Sequence, residues 1–197
     1  MKIHFSLIIV LIFALYTGTI IEFGIFFGCI ILHEVGHLFF IVLFKQKVDK
    51  INLTIFGGQI DCYIGNISFI RSILINSGGI IVNIIILNFS NSIEGYYRNV
   101  IYNYNFLLII FNLLPIYPLD GYRIIETFLM NASVGLAYSI LSVLSIIMII
   151  GLSIYGIILH SLGIIIIAAF LLQKNIDRIK NRDKIVLRKF IKRYSKN

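Results

Sequence analysis

The stretch of residues 23–44, FGIFFGCIILHEVGHLFFIVLF, decides how the rest of the sequence is interpreted. It is apolar and about as long as the roughly 20 residues that a helix needs to cross a bilayer. Near its middle it carries His33, Glu34 and His37. Ionisable side chains inside a membrane helix are costly and usually functional. The structural alternative is a pair of histidines and a glutamate that are satisfied inside a helix bundle.

Composition excludes a soluble globular protein and a disordered one. Of the 197 residues, 59% are hydrophobic and 13% are charged, whereas a soluble domain is about 25% charged. The net charge of +8 lies entirely in residues 174–197, which contain ten basic and two acidic side chains. The pattern is typical of a membrane protein with a basic cytoplasmic tail, and it does not favour nucleic-acid binding.

Hydropathy predicts an all-α polytopic membrane protein with six transmembrane helices and a small β-hairpin after the second. Residues 1–173 would form the membrane domain, and residues 174–197 a basic tail with an interfacial helix on the anionic inner leaflet. The predicted spans are residues 4–21, 23–44, 72–89, 100–119, 134–152 and 156–173.

The positive-inside rule orients these spans. With the tail in the cytoplasm, 16 of the 17 lysines and arginines fall on the cytoplasmic side, and Arg98 alone falls outside. An even number of spans then places both termini in the cytoplasm. We therefore expect an integral membrane protein whose second and fourth spans both run from outside to inside.

The HEVGH sequence at residues 33–37 has the spacing of a metal site. Residues four apart share one face of a helix, so His33 and His37 can bind the same ion while Glu34 lies beside it. This is the HExxH spacing of zinc proteases, in which the glutamate is the general base. Two histidines and a carboxylate suit Zn²⁺ best, and we expect one ion.

A catalytic zinc has three protein ligands and one position for water, so a third ligand is expected elsewhere in the chain. Asp120 ends the fourth span on the same side as His37, after a segment with both prolines of the chain, Pro115 and Pro118. Two prolines this close should unwind the end of the helix. The alternative is a helix that ends at the prolines and a solvated aspartate at the lipid surface.

These two motifs together resemble the site-2 protease family of intramembrane zinc metalloproteases. That family pairs HExxH with an N-x-x-P-x-x-P-L-D-G segment, which here is residues 112–121. The resemblance implies that Asn112 and Pro118 line the substrate cleft. Residues 76–83, NSGGIIVN, resemble a third family element and imply a site role for Asn83. The alternative for this element is a small-residue helix contact with a capped asparagine.

The short form of the chain is most similar to the stage IV sporulation protein FB branch. This implies a bacterial cell-membrane protease that cleaves a membrane-tethered protein near the cytoplasmic face, for example a pro-sigma or anti-sigma factor. It also implies a regulatory membrane protein as a partner, besides the substrate and the lipid bilayer. Members of this branch commonly carry a CBS domain after the last span, and residues 174–197 are too few for one, so we do not expect a fused nucleotide sensor.

Residues 50–66 alternate apolar and polar side chains around Gly57 and Gly58, which predicts a β-hairpin with its turn at the two glycines. An exposed edge strand there could hold an unwound substrate in extended form. An interfacial loop without substrate contact is the alternative for the same segment.

Two other classes of function remain open at this point. One is a transporter or channel for a metal ion or protons, for which polar groups near the midplane and an internal repeat are expected. The other is a non-catalytic polytopic protein that binds a membrane partner. The sequence shows no repeat, and it keeps the intact HExxH together with Asp120, so the protease is favoured.

Overall fold

A computed structural model describes residues 19–46, 48–54, 57–62, 68–130, 134–184 and 186–187. For residues 48–54 and 57–62 the description covers the backbone only. Residues 4–18 of the first predicted span lie outside this part of the chain. The chain is mostly helical and divides into two compact units, Met1–Asn112 and Leu113–Asn197.

The first unit is built on a pair of apolar helices, α1 (Ile20–Leu43) and α2 (Phe69–Ser90), which pack against each other. Ser68 begins α2 as its N-cap, because its hydroxyl accepts a hydrogen bond from the backbone N–H of Arg71. The Arg71 guanidinium lies 5.6 Å from the ring centroid of Phe44, so the end of α1 and the start of α2 are joined.

The third helix, α3 (Tyr96–Leu113), follows α2 after a turn that contains Gly95 at a φ of 88°. The Tyr96 hydroxyl donates to Glu22 Oε1 at 3.0 Å, and the Asn105 side-chain amide donates to Cys29 Sγ at 3.2 Å. Two polar contacts therefore connect α3 to α1.

A two-stranded antiparallel hairpin lies between α1 and α2, formed by β1 (Val48–Thr54) and β2 (Gly57–Cys62). Gly57 pairs with Thr54 and Gly58 with Leu53. The two glycines therefore begin β2 and do not form the turn, which corrects the predicted turn position. A two-residue connection is the commonest link in such hairpins, and the two connecting residues, 55 and 56, lie outside the described residues.

The second unit contains α4 (Asp120–Met130), α5 (Val134–Ile158) and α6 (Leu162–Lys180), of which α5 and α6 pack together. The turn between them places His160 at a φ of 50°, and the Ser161 N–H donates to the Gly156 carbonyl at 2.9 Å. A left-handed residue followed by such a bond is a common helix ending. The fully buried side chains of this unit include Ile116, Tyr122, Leu141, Ile149 and Leu171.

Among the described residues, three helices are long and apolar enough to cross a membrane: α1, α2 and α5. Large apolar side chains on their surfaces are more than half exposed, as expected of groups that face lipid, for example Phe39, Val42 and Ile85. These features indicate an integral membrane protein. The predicted count of six spans is not supported within this part of the chain, because α3 carries four asparagines and α6 ends in charged residues.

Two helix ends also differ from the predicted spans. Helix α3 ends at Leu113, before the predicted end at residue 119, because Pro115 and Pro118 follow within five residues. Helix α6 continues to Lys180, past the predicted start of the tail at residue 174. The first residues of the predicted tail therefore belong to a helix of the second unit.

Candidate metal centre

The first unit brings two imidazoles of α1 together edge to face, with an angle of 75° between the ring planes. The Nε2 atoms of His33 and His37 are 3.3 Å apart, and the residues are only 4% and 8% exposed. Two nitrogens bound to a tetrahedral zinc at 2.0–2.1 Å lie about 3.3–3.4 Å from each other. The pair therefore has the separation that two ligands of one zinc ion require.

The other ring nitrogen of His37 is fixed by α2. His37 Nδ1 lies 2.7 Å from the backbone carbonyl oxygen of Ile75. Because a carbonyl only accepts hydrogen bonds, Nδ1 carries the proton, and the lone pair is on Nε2. Partners of this kind orient a histidine and raise its basicity as a metal ligand. The tautomer of His37 is thus the one that a metal ligand needs.

Glycines allow α2 to approach this part of α1 closely. A Cβ atom on Gly78 would lie 2.5 Å from the carbonyl oxygen of Gly36, and one on Gly79 would overlap the ring of His33. Only hydrogen fits at these positions. The glycine pair at residues 78–79 therefore forms a contact surface for residues 33–37 of α1.

Asn83 is a polar side chain of α2 that is buried without hydrogen-bond partners among the described residues. It is fully buried, and neither its Oδ1 nor its Nδ2 has a hydrogen-bond partner in the described part of the chain. It lies one turn after Gly79 and so on the same face of α2. A buried amide without partners is costly, which makes Asn83 suited to bind a polar group of a ligand. Of the alternative reading of this element, the small-residue helix contact is present at Gly78 and Gly79, whereas the Asn83 side chain has no capping partner in the described part of the chain.

Glu34 lies between the two histidines in sequence but on a different side of the helix. It is partly exposed, whereas its neighbour His33 is buried. Successive residues of a helix are rotated by about 100°, so Glu34 and His33 point in different directions. The Glu34 side chain therefore does not share the face on which the two predicted ligands lie.

In the second unit, Asp120 is buried and is the first residue of α4. The positive end of the helix dipole lies there and stabilises a negative charge. Next to it, a Cβ atom on Gly121 would lie 2.5 Å from the carbonyl carbon of Leu113 and 2.7 Å from the Leu114 oxygen. The proline loop, residues 114–119, therefore folds back onto the first turn of α4.

The remaining predicted site residues are Asn112, Pro118, Gly57 and Gly58. Asn112 is partly buried, and its side-chain amide donates to the Leu108 carbonyl of its own helix at 3.0 Å. Pro118 lies in the proline loop after a cis peptide bond and is partly buried. Gly57 and Gly58 are paired within the hairpin.

Sequence reasoning did not single out several residues that support these sites. The Ile75 carbonyl is one, and no side-chain pattern signals a backbone partner. In the second unit, Ser145, Asn175 and Arg178 contact the proline loop from α5 and α6. For Ser145 the available signal was a polar residue in an apolar helix, whereas Asn175 lies among the charged residues that end α6 and gave no such signal.

Comparison with known proteins identifies a similar fold. The structure resembles a solved structure described as "Site-2 Protease from Methanocaldococcus jannaschii", with a TM-score of 0.68 and 22% sequence identity. The similarity covers 89% of this chain and 88% of the other. No protein-family profile and no curated protein matches the sequence. The chain is thus a membrane protein with the fold of a site-2 protease.

Proposed function

We propose that the protein is a zinc-dependent intramembrane endopeptidase. The observation that carries this proposal is the histidine pair: two buried Nε2 atoms 3.3 Å apart, with the tautomer of His37 fixed by the Ile75 carbonyl. Two histidines that merely packed together would need neither Nε2 atoms at the separation of two zinc ligands nor a carbonyl that fixes the tautomer of one ring. The fold of a site-2 protease supports the same class of enzyme.

The ligand set of the proposal is His33, His37 and Asp120, with the fourth position left to water. Two histidines and a carboxylate form a common catalytic zinc site. Asp120 suits this role because it is buried at a helix N-terminus, where a carboxylate is stabilised in its charged form. A bound zinc ion lowers the pKa of water toward about 7 and polarises the scissile carbonyl.

Glu34 is the proposed general base. Its carboxylate accepts a proton as water attacks the scissile carbonyl carbon and then delivers that proton to the nitrogen of the leaving amine. The partial exposure of Glu34 is consistent with access for water. Such proton transfer contributes about 10²–10⁴-fold to rate.

Substrate binding is assigned to three places. Asn83 offers a buried amide that could pair with the substrate backbone, and Asn112 and Pro118 would line the cleft. The hairpin at Gly57 and Gly58 would hold the unwound substrate by strand addition. The interfacial loop remains the alternative for this hairpin.

The proposed substrate is a membrane-tethered protein cut near the cytoplasmic face, such as a pro-sigma or anti-sigma factor in a bacterial cell membrane. Both termini of the enzyme would be cytoplasmic, and a regulatory membrane protein would control it. The distribution of lysine and arginine supports this orientation.

The test combines metal analysis with cleavage. Wild type purified in detergent should contain one zinc per chain, and His33→Ala should lose it. Glu34→Gln should keep the zinc but lose cleavage of co-expressed single-span proteins that are tagged at the cytoplasmic end. A wild type that binds no zinc, or a Glu34→Gln variant that still cleaves, would overturn the proposal.

A further inference from the structure

The proline loop that precedes Asp120 is held by side chains from both other long helices of its unit. Ser145 of α5 donates its hydroxyl to the Pro115 carbonyl at 3.0 Å and accepts from the Tyr117 N–H at 3.4 Å. Asn175 of α6 donates its amide to the Tyr117 carbonyl at 2.9 Å. Three backbone groups of an irregular segment are thus satisfied by side chains, as is required away from water.

Arg178, one turn after Asn175, makes the most extensive contact in this region. Its guanidinium carbon lies 4.4 Å from the ring centroid of Tyr117 and 4.5 Å from that of Tyr122, and a third ring, Tyr138, is at 5.2 Å. An oxygen of Glu126 accepts a hydrogen bond from the guanidinium at 2.5 Å. The Arg178 side chain is only 9% exposed.

This environment keeps the arginine charged although it is buried. Burial alone would lower the pKa of Arg178, but Glu126 and the neighbouring tyrosines raise it above its usual value. Burial likewise raises the pKa of the Tyr122 hydroxyl, although the charge of Arg178 partly opposes this. By contrast, Lys180 and Arg182 farther along the chain are exposed.

Two of the tyrosines that Arg178 contacts flank Asp120 in the sequence. Tyr117 is three residues before Asp120, and Tyr122 is two residues after it. One guanidinium therefore packs against the chain on both sides of Asp120. Arginine can do this because its planar charge stacks on several aromatic rings, whereas a lysine ammonium is a point charge.

We propose that Arg178 is a positioning residue that holds residues 117–122 in the conformation in which Asp120 serves as a metal ligand. This inference rests on the proposed function, because it assigns the metal-ligand role to Asp120. Glu126 fixes the guanidinium, and Asn175 fixes the loop backbone from the same helix. Loss of such supporting groups typically weakens metal binding by about 10–100-fold.

The experiment measures zinc affinity of the purified full-length protein by competition with a chromophoric chelator. Arg178→Gln should weaken zinc binding about 10–100-fold, and it should also change the visible spectrum of bound Co²⁺. Arg178→Lys should lose part of this affinity, because it keeps the charge beside Glu126 but not the stacking. Lys180→Gln is the matched control, since it removes one exposed charge from the same helix and should bind zinc as wild type does.

A double-mutant comparison separates positioning from general stability. If Arg178 acts through Asp120, then Asp120→Ala and the double variant Asp120→Ala/Arg178→Gln should bind zinc equally weakly. If the two losses add, or if Arg178→Gln binds zinc like Lys180→Gln, the inference is wrong. Should Arg178→Gln not fold, Arg178→Lys and Asn175→Leu take its place in the same comparison.

The outcome for Asp120→Ala alone tests the proposed function independently. If zinc binding by wild type is absent, or is unchanged in Asp120→Ala, the proposed ligand set fails and the inference fails with it. If Asp120→Ala loses affinity and Arg178→Gln does not, the ligand set stands and only the positioning role is refuted.

Discussion

Gly78→Ala tests whether the contact between the backbones of α1 and α2 positions the metal ligands. The added Cβ would lie 2.5 Å from the Gly36 oxygen, 2.8 Å from its carbonyl carbon and 3.0 Å from the His37 nitrogen. All three are backbone atoms, so no side chain can rotate away. Since carbon atoms pack at about 3.5 Å or more, the helices have to separate by about 1 Å.

The separation of α1 from α2 in Gly78→Ala should have two measurable consequences. Overpacking of this kind costs about 1–3 kcal/mol of folding free energy. In addition, the 2.7 Å bond between His37 Nδ1 and the Ile75 oxygen would lengthen to about 3.7 Å, which is outside hydrogen-bond range. We therefore expect zinc affinity to fall about 10–100-fold.

The assay compares zinc affinity and thermal unfolding in detergent with those of Gly28→Ala. Gly28 lies in α1 with nothing within 4 Å of an added Cβ, so this control changes only helix propensity, by about 0.5–1 kcal/mol in the stabilising direction. If Gly78→Ala bound zinc as tightly as Gly28→Ala, the argument that helix approach orients His37 would be refuted.

Three further predictions concern the second unit and the metal. Ser145→Ala removes two hydrogen bonds to the proline loop and should lower the unfolding free energy by about 1–3 kcal/mol in a denaturation assay. The control is Ser153→Ala, which should have a smaller effect because the Ser153 hydroxyl donates to a carbonyl of its own helix. Gly121→Ala should displace the proline loop from α4 and weaken zinc binding in the chelator competition, and an unchanged affinity would contradict the close contact seen at this glycine. Zinc at 100 times its Kd should stabilise wild type by about 2.7 kcal/mol in thermal unfolding. His33→Ala should show no such shift, and an equal shift would contradict the assignment of His33 as a ligand.

The geometry of the candidate metal-binding segment could be predicted because it is local. Residues four apart on a helix meet regardless of the rest of the fold, so the separation of His33 and His37 follows from their spacing. The prolines likewise predicted an irregular segment before Asp120, since proline removes a backbone donor and disrupts the helix. These inferences need only a few neighbouring residues.

Contacts between distant segments could not be predicted in the same way. The Ile75 carbonyl meets His37 across 38 positions of the sequence, and only the packing of α2 on α1 brings them together. The sequence places Arg178 among the cations of a basic tail with an interfacial helix, because composition does not show which residues of a helix face inward. Its burial among three tyrosines depends on how α4, α5 and α6 pack.

The partner of His37 is a main-chain oxygen, and this affects what a mutational scan can detect. Every residue type has a backbone carbonyl, but the Ile75 side chain is itself buried against Ile41, so only a conservative replacement such as Ile75→Val should leave both the packing and the bond intact. A scan of single substitutions would therefore report the packing of the Ile75 side chain and would register the bond only through the glycines that set the distance between the two helices. The packing role of the side chain would conceal the part of the carbonyl in the candidate site.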